Sequence, residues 1–257
     1  MIFILGGKGF LGSALVRYCE ARGWEHAAID QQEYPVLAGG SCDLLINANG
    51  NSRKFLAREA PLEDFDLNVR SVRKTLEDFR FGMYVYFSSA DVYPDSSFPA
   101  TTSEDAPIDT AYQSPYGFHK YLGEQCVRFK APEWLILRLS GFVGPGLRKN
   151  PIHDLLAGEP LWVSADSEFQ YMHTQDLARI VFELALDRGV RREVINVGGE
   201  GVISVEQAAR MAGKQLTARP GSPRVRCELS LGRLAGYCTV PGTSDTVRDF
   251  VRSPGES

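Results

Sequence analysis

The opening stretch, Ile2-Phe3-Ile4-Leu5 followed by Gly6-Gly7-Lys8-Gly9-Phe10-Leu11-Gly12, constrains the fold of this chain more than any other. A short apolar run bounded by glycines reads as a buried strand, and Ser13-Ala14-Leu15-Val16-Arg17-Tyr18 continues as a helix. In such a turn Gly6 permits the tight reversal, Gly9 lets the backbone approach a pyrophosphate, and Gly12 lets helix and strand pack closely. The free backbone N–H groups of the first helical turn, at Phe10 and Leu11, then face an anion. Asp30 ends a second apolar run, Ala27-Ala28-Ile29, where a carboxylate would accept from a ribose 2′-hydroxyl. Strand, turn, helix and acid together predict a dinucleotide site in an α/β fold.

The 257 residues, 44% of them hydrophobic, suffice for a large core, arranged as one domain or as a main domain with a smaller partner. A net charge of −4 and scattered Lys and Arg residues give no basic footprint, so nucleic acid is not an expected partner. Cys19, Cys42, Cys126, Cys227 and Cys238 are odd in number, widely spaced and without a CxxC pair, which reads as reduced thiols of a cytoplasmic protein. No apolar run approaches the roughly 18 residues of a membrane span, so no membrane is expected. His26, His119, His153 and His173 show no metal-ligand spacing, and no metal is expected.

Apolar runs alternate with helical patterns, the mark of a parallel sheet covered by helices. Strands are predicted over Ile2 to Leu5, His26 to Asp30, Asp43 to Ala48, Met83 to Ser88 and Trp134 to Leu139, with crossover helices over Leu62 to Phe79 and Tyr112 to Lys130. Gln31 to Cys42, with Pro35 and Gly39-Gly40, is expected to hold little regular structure. The class is therefore α/β, a Rossmann-type doubly wound parallel sheet, over about residues 1–141. Beyond, Gly141, Gly144, Pro145, Gly146 and Pro151 interrupt the pattern. Shorter elements follow: a helix over Gln175 to Asp187, a strand over Val194 to Val197 and a helix over Ser204 to Ala212. A small C-terminal substrate lobe over 142–257, partly interleaved with the first, is the expectation, with Ser253 to Ser257 frayed.

Two places carry chemistry. Tyr116 and Lys120 are four apart and share a helical face. A phenol is a poor base at neutral pH, but a nearby ammonium and an oxidised nicotinamide would both favour its anion. Tyr116 could then exchange a proton with a substrate hydroxyl. The run Tyr86-Phe87-Ser88-Ser89-Ala90-Asp91-Val92-Tyr93 ends a strand in hydroxyls and a carboxylate at the carboxyl edge of the sheet. There Ser89 could bond the same substrate oxygen, or both serines could simply cap the strand.

The chain resembles the extended short-chain dehydrogenase/reductases, and within them the NAD-dependent sugar-nucleotide epimerases and dehydratases. GGKGFLG, Asp30, LLINANG, LNV at Leu67 to Val69, FSSADVY, YGFHK, LRLSGFVGP, YMHTQDLA and INVGG fall in family order. The resemblance implies NAD as cofactor, contacted by Gly6, Gly9, Phe10, Leu11, Gly12, Asp30, Ala48, Tyr116 and Lys120. It implies a triad in which Tyr116 is the acid/base, Lys120 holds the nicotinamide ribose and lowers the tyrosine pKa, and Ser89 orients the reacting oxygen, with Asn68 in support. Asp91 stands where the family's dehydratases commonly carry a glutamate that removes a proton beside a transient ketone. It reads either as a second acid/base or as a carboxylate satisfied by local backbone. His173 and Asp176 align with a segment that is mainly structural in the family. A homodimer formed by pairing the two long helices, with Phe65, Leu122 and Phe129 as apolar candidates, is also implied.

Two positions depart from the family pattern. Gly141 stands where an asparagine touches the substrate diphosphate, and Phe169-Gln170-Tyr171-Met172-His173 replaces a segment that supplies an arginine to it. Either Arg148, Lys149, Arg224 or Arg226 takes over those contacts, or the substrate is smaller. The expected function is an NAD-dependent epimerase or dehydratase acting on a sugar or sugar nucleotide through a keto intermediate. The alternatives are a net dehydrogenase or reductase of a smaller non-nucleotide carbonyl compound, and a cofactor-sensing binding protein. His119, beside Lys120, is unusual for the motif.

Overall fold

The computed structural model describes residues 1–51 and 53–252. The expected frayed tail, Ser253 to Ser257, lies outside the described residues. Six strands form the main sheet, in the order His26–Ile29 (β2), Ile2–Leu5 (β1), Ser41–Asn47 (β3), Arg80–Ser89 (β4), Trp134–Leu139 (β5) and Glu193–Val197 (β9). Pairing is parallel from β2 through β5. All residues of β1 and β5 are buried, as strands covered on both faces must be; β1 is wholly apolar, and β5 is apolar except for Arg138, which is paired with Glu124. The chain leaves β1 on one side to form β2 and returns on the other to form β3. The order therefore reverses between β1 and β3, and ligands of such sheets bind at the carboxyl ends flanking that reversal. Gly6 and Ala48 are the residues that leave those two ends, and the Ala48 amide donates to the Leu5 carbonyl at 3.1 Å.

Several sequence-based boundaries change, among them β4, which starts at Arg80 rather than Met83. Gln31 to Cys42 is more regular than expected: Tyr34–Leu37 makes a helical turn and β3 already starts at Ser41. The Tyr34 hydroxyl donates to Asp78 at 2.9 Å, which fixes a turn that Pro35 and two glycines would otherwise leave loose. The helix predicted from Tyr112 starts at Pro115 instead (α3, Pro115–Lys130). Ser114 caps it by accepting from the Gly117 amide, and proline takes the first helical position, where its missing N–H costs nothing. The other long helix (α2) runs as Pro61–Phe65, a π-helical turn Asp66–Arg70 and Ser71–Asp78. Asn68 sits in that π turn, a local widening that hydrophobic periodicity cannot reveal and that recurs at functional sites. The first helix (α1, Phe10–Ala21) follows the glycine turn as expected.

The chain divides into two compact units, each assembled from three stretches. One comprises residues 1–94, 107–139 and 178–195; the other 95–106, 140–177 and 196–257. The second unit holds Gly141–Val143 (β6) paired with Tyr171–His173 (β8), and a small sheet of Ile203–Ser204 (β10), Glu168–Phe169 (β7) and Arg226–Cys227 (β11). Val143, Ile152, Tyr171, Ile203, Val247 and Phe250 form its core. Gln170 is almost fully buried and grips the Leu229 backbone from both ends, donating to its carbonyl at 3.1 Å and accepting from its amide at 2.8 Å. No helix among the described residues is long and apolar enough to cross a membrane.

Candidate active site

The glycine turn is closed by contacts that tolerate no side chain. A Cβ on Gly12 would lie 2.0 Å from the Gly6 carbonyl oxygen, and one on Gly6, at φ +75°, 3.1 Å from the Asn49 backbone. Gly9 caps α1 and, as a glycine, gives its N-terminus no side-chain cap, and the first turn contains no acid. The result is an uncapped helix start with positive character against bare backbone, which fits a pyrophosphate. Asp30 holds the turn by accepting from the Lys8 amide at 2.9 Å through Oδ2. Glu33 accepts from the Asp30 amide at 3.1 Å and from the Lys8 ammonium at 2.5 Å. Sequence reasoning found Asp30 and missed this pair, because Lys8 and Glu33 belong to different elements and come together only through the turn. The residues present fit an adenine dinucleotide.

At the carboxyl end of β4, the Ser89 hydroxyl donates to Asp91 Oδ2 at 2.7 Å and accepts from the Asp91 amide at 3.2 Å. The Lys54 ammonium lies 2.6 Å from the same Oδ2 and 6.0 Å from the Tyr116 ring centroid. Gly117 explains how Tyr116 reaches this strand end: its Cβ would stand 1.8 Å from the Asp91 carbonyl oxygen, so only glycine lets the first turn of α3 lie against that backbone. Lys120, one turn further along α3, donates to the Phe87 carbonyl at 2.7 Å and sits 4.5 Å above the Tyr86 ring. Ser89, Asp91, Tyr116 and Lys120 are thus gathered where β4 ends and α3 begins. Behind them Glu124 accepts from Arg138 Nε and Nη2 at 3.0 and 2.8 Å and from Ser88 at 2.6 Å, a buried pair tying α3 to β4 and β5.

Burial pushes the Tyr116 phenol well above its ordinary value, and the Asp91 and Asp64 carboxylates push it the same way. In this arrangement the Lys120 ammonium is turned toward Phe87, and burial outweighs the lowering that the YxxxK spacing suggests. Burial also pulls Lys120 down to about 8, against the opposing pull of Glu124 and Asp64. A lysine depressed in the folded state costs stability fully below its folded pKa, and the cost fades as pH rises toward the unfolded value. Lys120→Met should therefore unfold at a higher temperature than the parent at pH 7, by up to about 3 kcal/mol of stability. The gap should close between about pH 8 and pH 10.5, and melting curves across that window check it. An equal or lower melting temperature at pH 7 would show that the ammonium is not held at a cost.

Asn68 is buried and donates to Asp64 Oδ1 at 2.9 Å. Asp64 is fully buried, and nothing in its local sequence marked it. His173 accepts from the Gln175 amide at 3.2 Å through Nδ1, a turn contact between β8 and the helix Thr174–Phe182 (α5), which carries Asp176 in its first turn. Gly141 cannot carry a side chain as placed, since a Cβ would meet the Gln170 carbonyl oxygen at 2.7 Å and the Tyr171 ring at 2.8 Å. Phe169 packs into the core of the second unit. Arg226 lies between Glu168, at 2.7 Å, and Glu228, while Arg224 approaches Glu168 and Asp166 at 3.5 and 3.4 Å. Arg148 and Lys149 are exposed between β6 and the helix Pro151–Ala157 (α4). Among the described residues no cluster of His, Cys, Asp or Glu could hold a metal ion.

The family model described as "NAD dependent epimerase/dehydratase family" matches residues 2–198. The chain belongs to this family. It is 27% identical over 288 residues to dTDP-4-dehydro-6-deoxy-D-allose reductase of Streptomyces bikiniensis, covering 91% of this chain and 85% of that one. It is 26% identical over 242 residues to the chloroplast stem-loop binding protein of 41 kDa b of Arabidopsis thaliana, covering 83% of this chain and 62% of that protein. The chain thus spans less than two thirds of the latter's length. In fold it is similar to a crystal structure of UDP-galactose 4-epimerase, with a TM-score of 0.81 at 22% identity, covering 99% of this chain and 98% of that one.

Proposed function

We propose that this chain is an NAD-dependent epimerase or dehydratase that oxidises one carbinol of a sugar nucleotide to a ketone, using Tyr116, Ser89 and Lys120. The observation that carries the reading is the junction of β4 and α3, where Gly117 brings the Tyr116 phenol to the strand end bearing Ser89 and Asp91. NAD, when bound, supplies a two-electron acceptor and a positive charge. Oxidation of a carbinol needs a base for the hydroxyl proton, and Tyr116 is the group placed to take it. The phenol is the stable form in the protein alone, so Tyr116 needs a cation beside it to act as base and serves as proton donor without further help. Ser89, released from Asp91, donates to the substrate oxygen. Lys120 binds the nicotinamide ribose, and Gly6, Gly9, Phe10, Leu11, Gly12, Asp30 and Ala48 line the rest of the cofactor site.

Asp91 separates the subtypes. In a dehydratase it removes the proton next to the ketone, so Asp91→Asn should accumulate reduced nicotinamide, read by its absorbance, while product formation stalls. In a simple 4-epimerase the same change should cost little. Loss of the hydride step itself would assign Asp91 to holding Ser89, in keeping with their 2.7 Å bond, and would end its role as a second acid/base.

The excluded side chain at Gly141 and the acid-bound Arg224 and Arg226 favour a second reading, a net dehydrogenase or reductase of a smaller carbonyl compound. Turnover of a free sugar or ketone with no turnover of any sugar nucleotide would establish it. Assembly follows the two long helices. Glu77 of α2 and Lys130 of α3 pair at 2.8 Å; of the three candidates Phe65 and Phe129 are exposed and Leu122 is only partly so, while Leu62 and Phe118 are exposed besides. A homodimer that covers these side chains should show twice the chain mass by light scattering at micromolar concentration, and a monomeric mass would contradict it.

A further inference from the structure

The buried carboxylate of Asp64 neither gives nor takes a proton in the chemistry above, yet it is bonded as heavily as Glu124, with three hydrogen-bond partners. Its Oδ1 accepts from Asn51 at 2.7 Å and from Asn68 at 2.9 Å, and its Oδ2 faces His119 Nδ1 at 2.7 Å. These four side chains come from the segment after β3, from α2 and from α3, and all are buried. The bond from Asn68 has a directional consequence. Because Nδ2 points at Asp64, Oδ1 must point the other way, and it is a buried acceptor with no partner among the described residues. It lies 3.2 Å from the position a Cβ on Gly50 would occupy, and Lys120 Nζ lies 3.7 Å from that same position. Gly50, at φ +148°, therefore leaves open the space that Asn68 Oδ1 and the Lys120 ammonium both border.

We propose that Asp64, clamped by His119, is a positioning residue of this site: it turns the Asn68 amide so that Oδ1 faces Lys120, and together with Glu124 it supplies the negative charge beside the Lys120 ammonium. The proposal rests on the reading of Lys120 as the partner of Tyr116 and of the nicotinamide ribose. Two carboxylates act on Lys120, Glu124 from its own helix and Asp64 from α2, with the Tyr86 ring of β4 packed against it. Glu124, the stronger influence, is engaged by two Arg138 nitrogens that already counter its charge, whereas Asp64 has only amides and an imidazole as partners. Lys120 should therefore feel the loss of Asp64 as well as that of Glu124. His119, an odd residue beside a motif lysine in the sequence, fixes the orientation of Asp64.

The test is a titration of the whole protein with lysine labelled by carbon-13 at Cε, the Lys120 signal being assigned by its disappearance in Lys120→Met. The Lys120 midpoint should fall by about one pH unit in Asp64→Asn, an isosteric change that removes the charge. It should fall likewise in Asn68→Ala, which removes the Oδ1 acceptor. NADH, titrated at the parent's Lys120 midpoint, should bind several-fold more weakly to both variants. A folded Asp64→Asn with the parent's midpoint overturns the proposal. If Asp64→Asn fails to fold, an unchanged midpoint in Asn68→Ala does so. The titration needs no substrate, so a lack of sugar-nucleotide turnover would count against the functional reading alone.

Discussion

Tyr116→Phe should lose at least about a hundredfold, and up to about ten-thousandfold, of turnover while still binding NADH, because it removes the proton-transfer group and keeps the ring. Tyr116 is buried in the first turn of α3, which lies against the Asp91 backbone, and a phenylalanine ring fits the same space. The variant should fold and melt like the parent. The loss should appear in kcat rather than in KM, since the missing interaction matters only as the proton moves. Turnover within a few-fold of the parent would remove Tyr116 from the chemistry and leave the YxxxK spacing as a coincidence of helix packing.

NAD should bind more tightly than NADP by about tenfold to a hundredfold. A 2′-phosphate would approach Asp30 and Glu33, and the nearby cation, Lys8, is already held by Glu33 at 2.5 Å. Two carboxylates against one ammonium leave that corner negative. The double variant Asp30→Ala, Glu33→Gln frees Lys8 and removes both repulsive groups, so it should reverse the preference. Titration of the parent and the double variant with both cofactors checks the prediction. Equal or tighter NADP binding by the parent would mean that Lys8 turns from Glu33 to the phosphate.

The features readable from sequence are those fixed by neighbours in the chain. The glycine turn, the uninterrupted burial of β5 and the helix pairing of Tyr116 with Lys120 follow from local pattern, and the structure has the first strand, the turn and β5 where the pattern places them. What stayed hidden depends on distant contacts. Gly117 looks like a helix interior residue until the Asp91 carbonyl is seen against it. Asp64 looks like one more acid in Pro61–Phe65 until Asn51, Asn68 and His119 close around it. Lys54 gave no signal in a loop of mixed charge, yet it reaches Asp91. The π turn at Asp66–Arg70 likewise results from how α2 packs rather than from its hydrophobic period.

The central claim is that the junction of β4 and α3 oxidises a sugar nucleotide. Its most direct test is incubation of the purified protein with NAD and, separately, UDP-glucose, UDP-galactose, UDP-glucuronic acid and dTDP-glucose, with products resolved by chromatography and mass. The account predicts that at least one of them becomes either an isomer of unchanged mass or a product lighter by one water, with no net consumption of NAD, and that Tyr116→Phe abolishes the conversion. Failure to convert any sugar nucleotide by a protein that binds NAD, or conversion that survives in Tyr116→Phe, would contradict it.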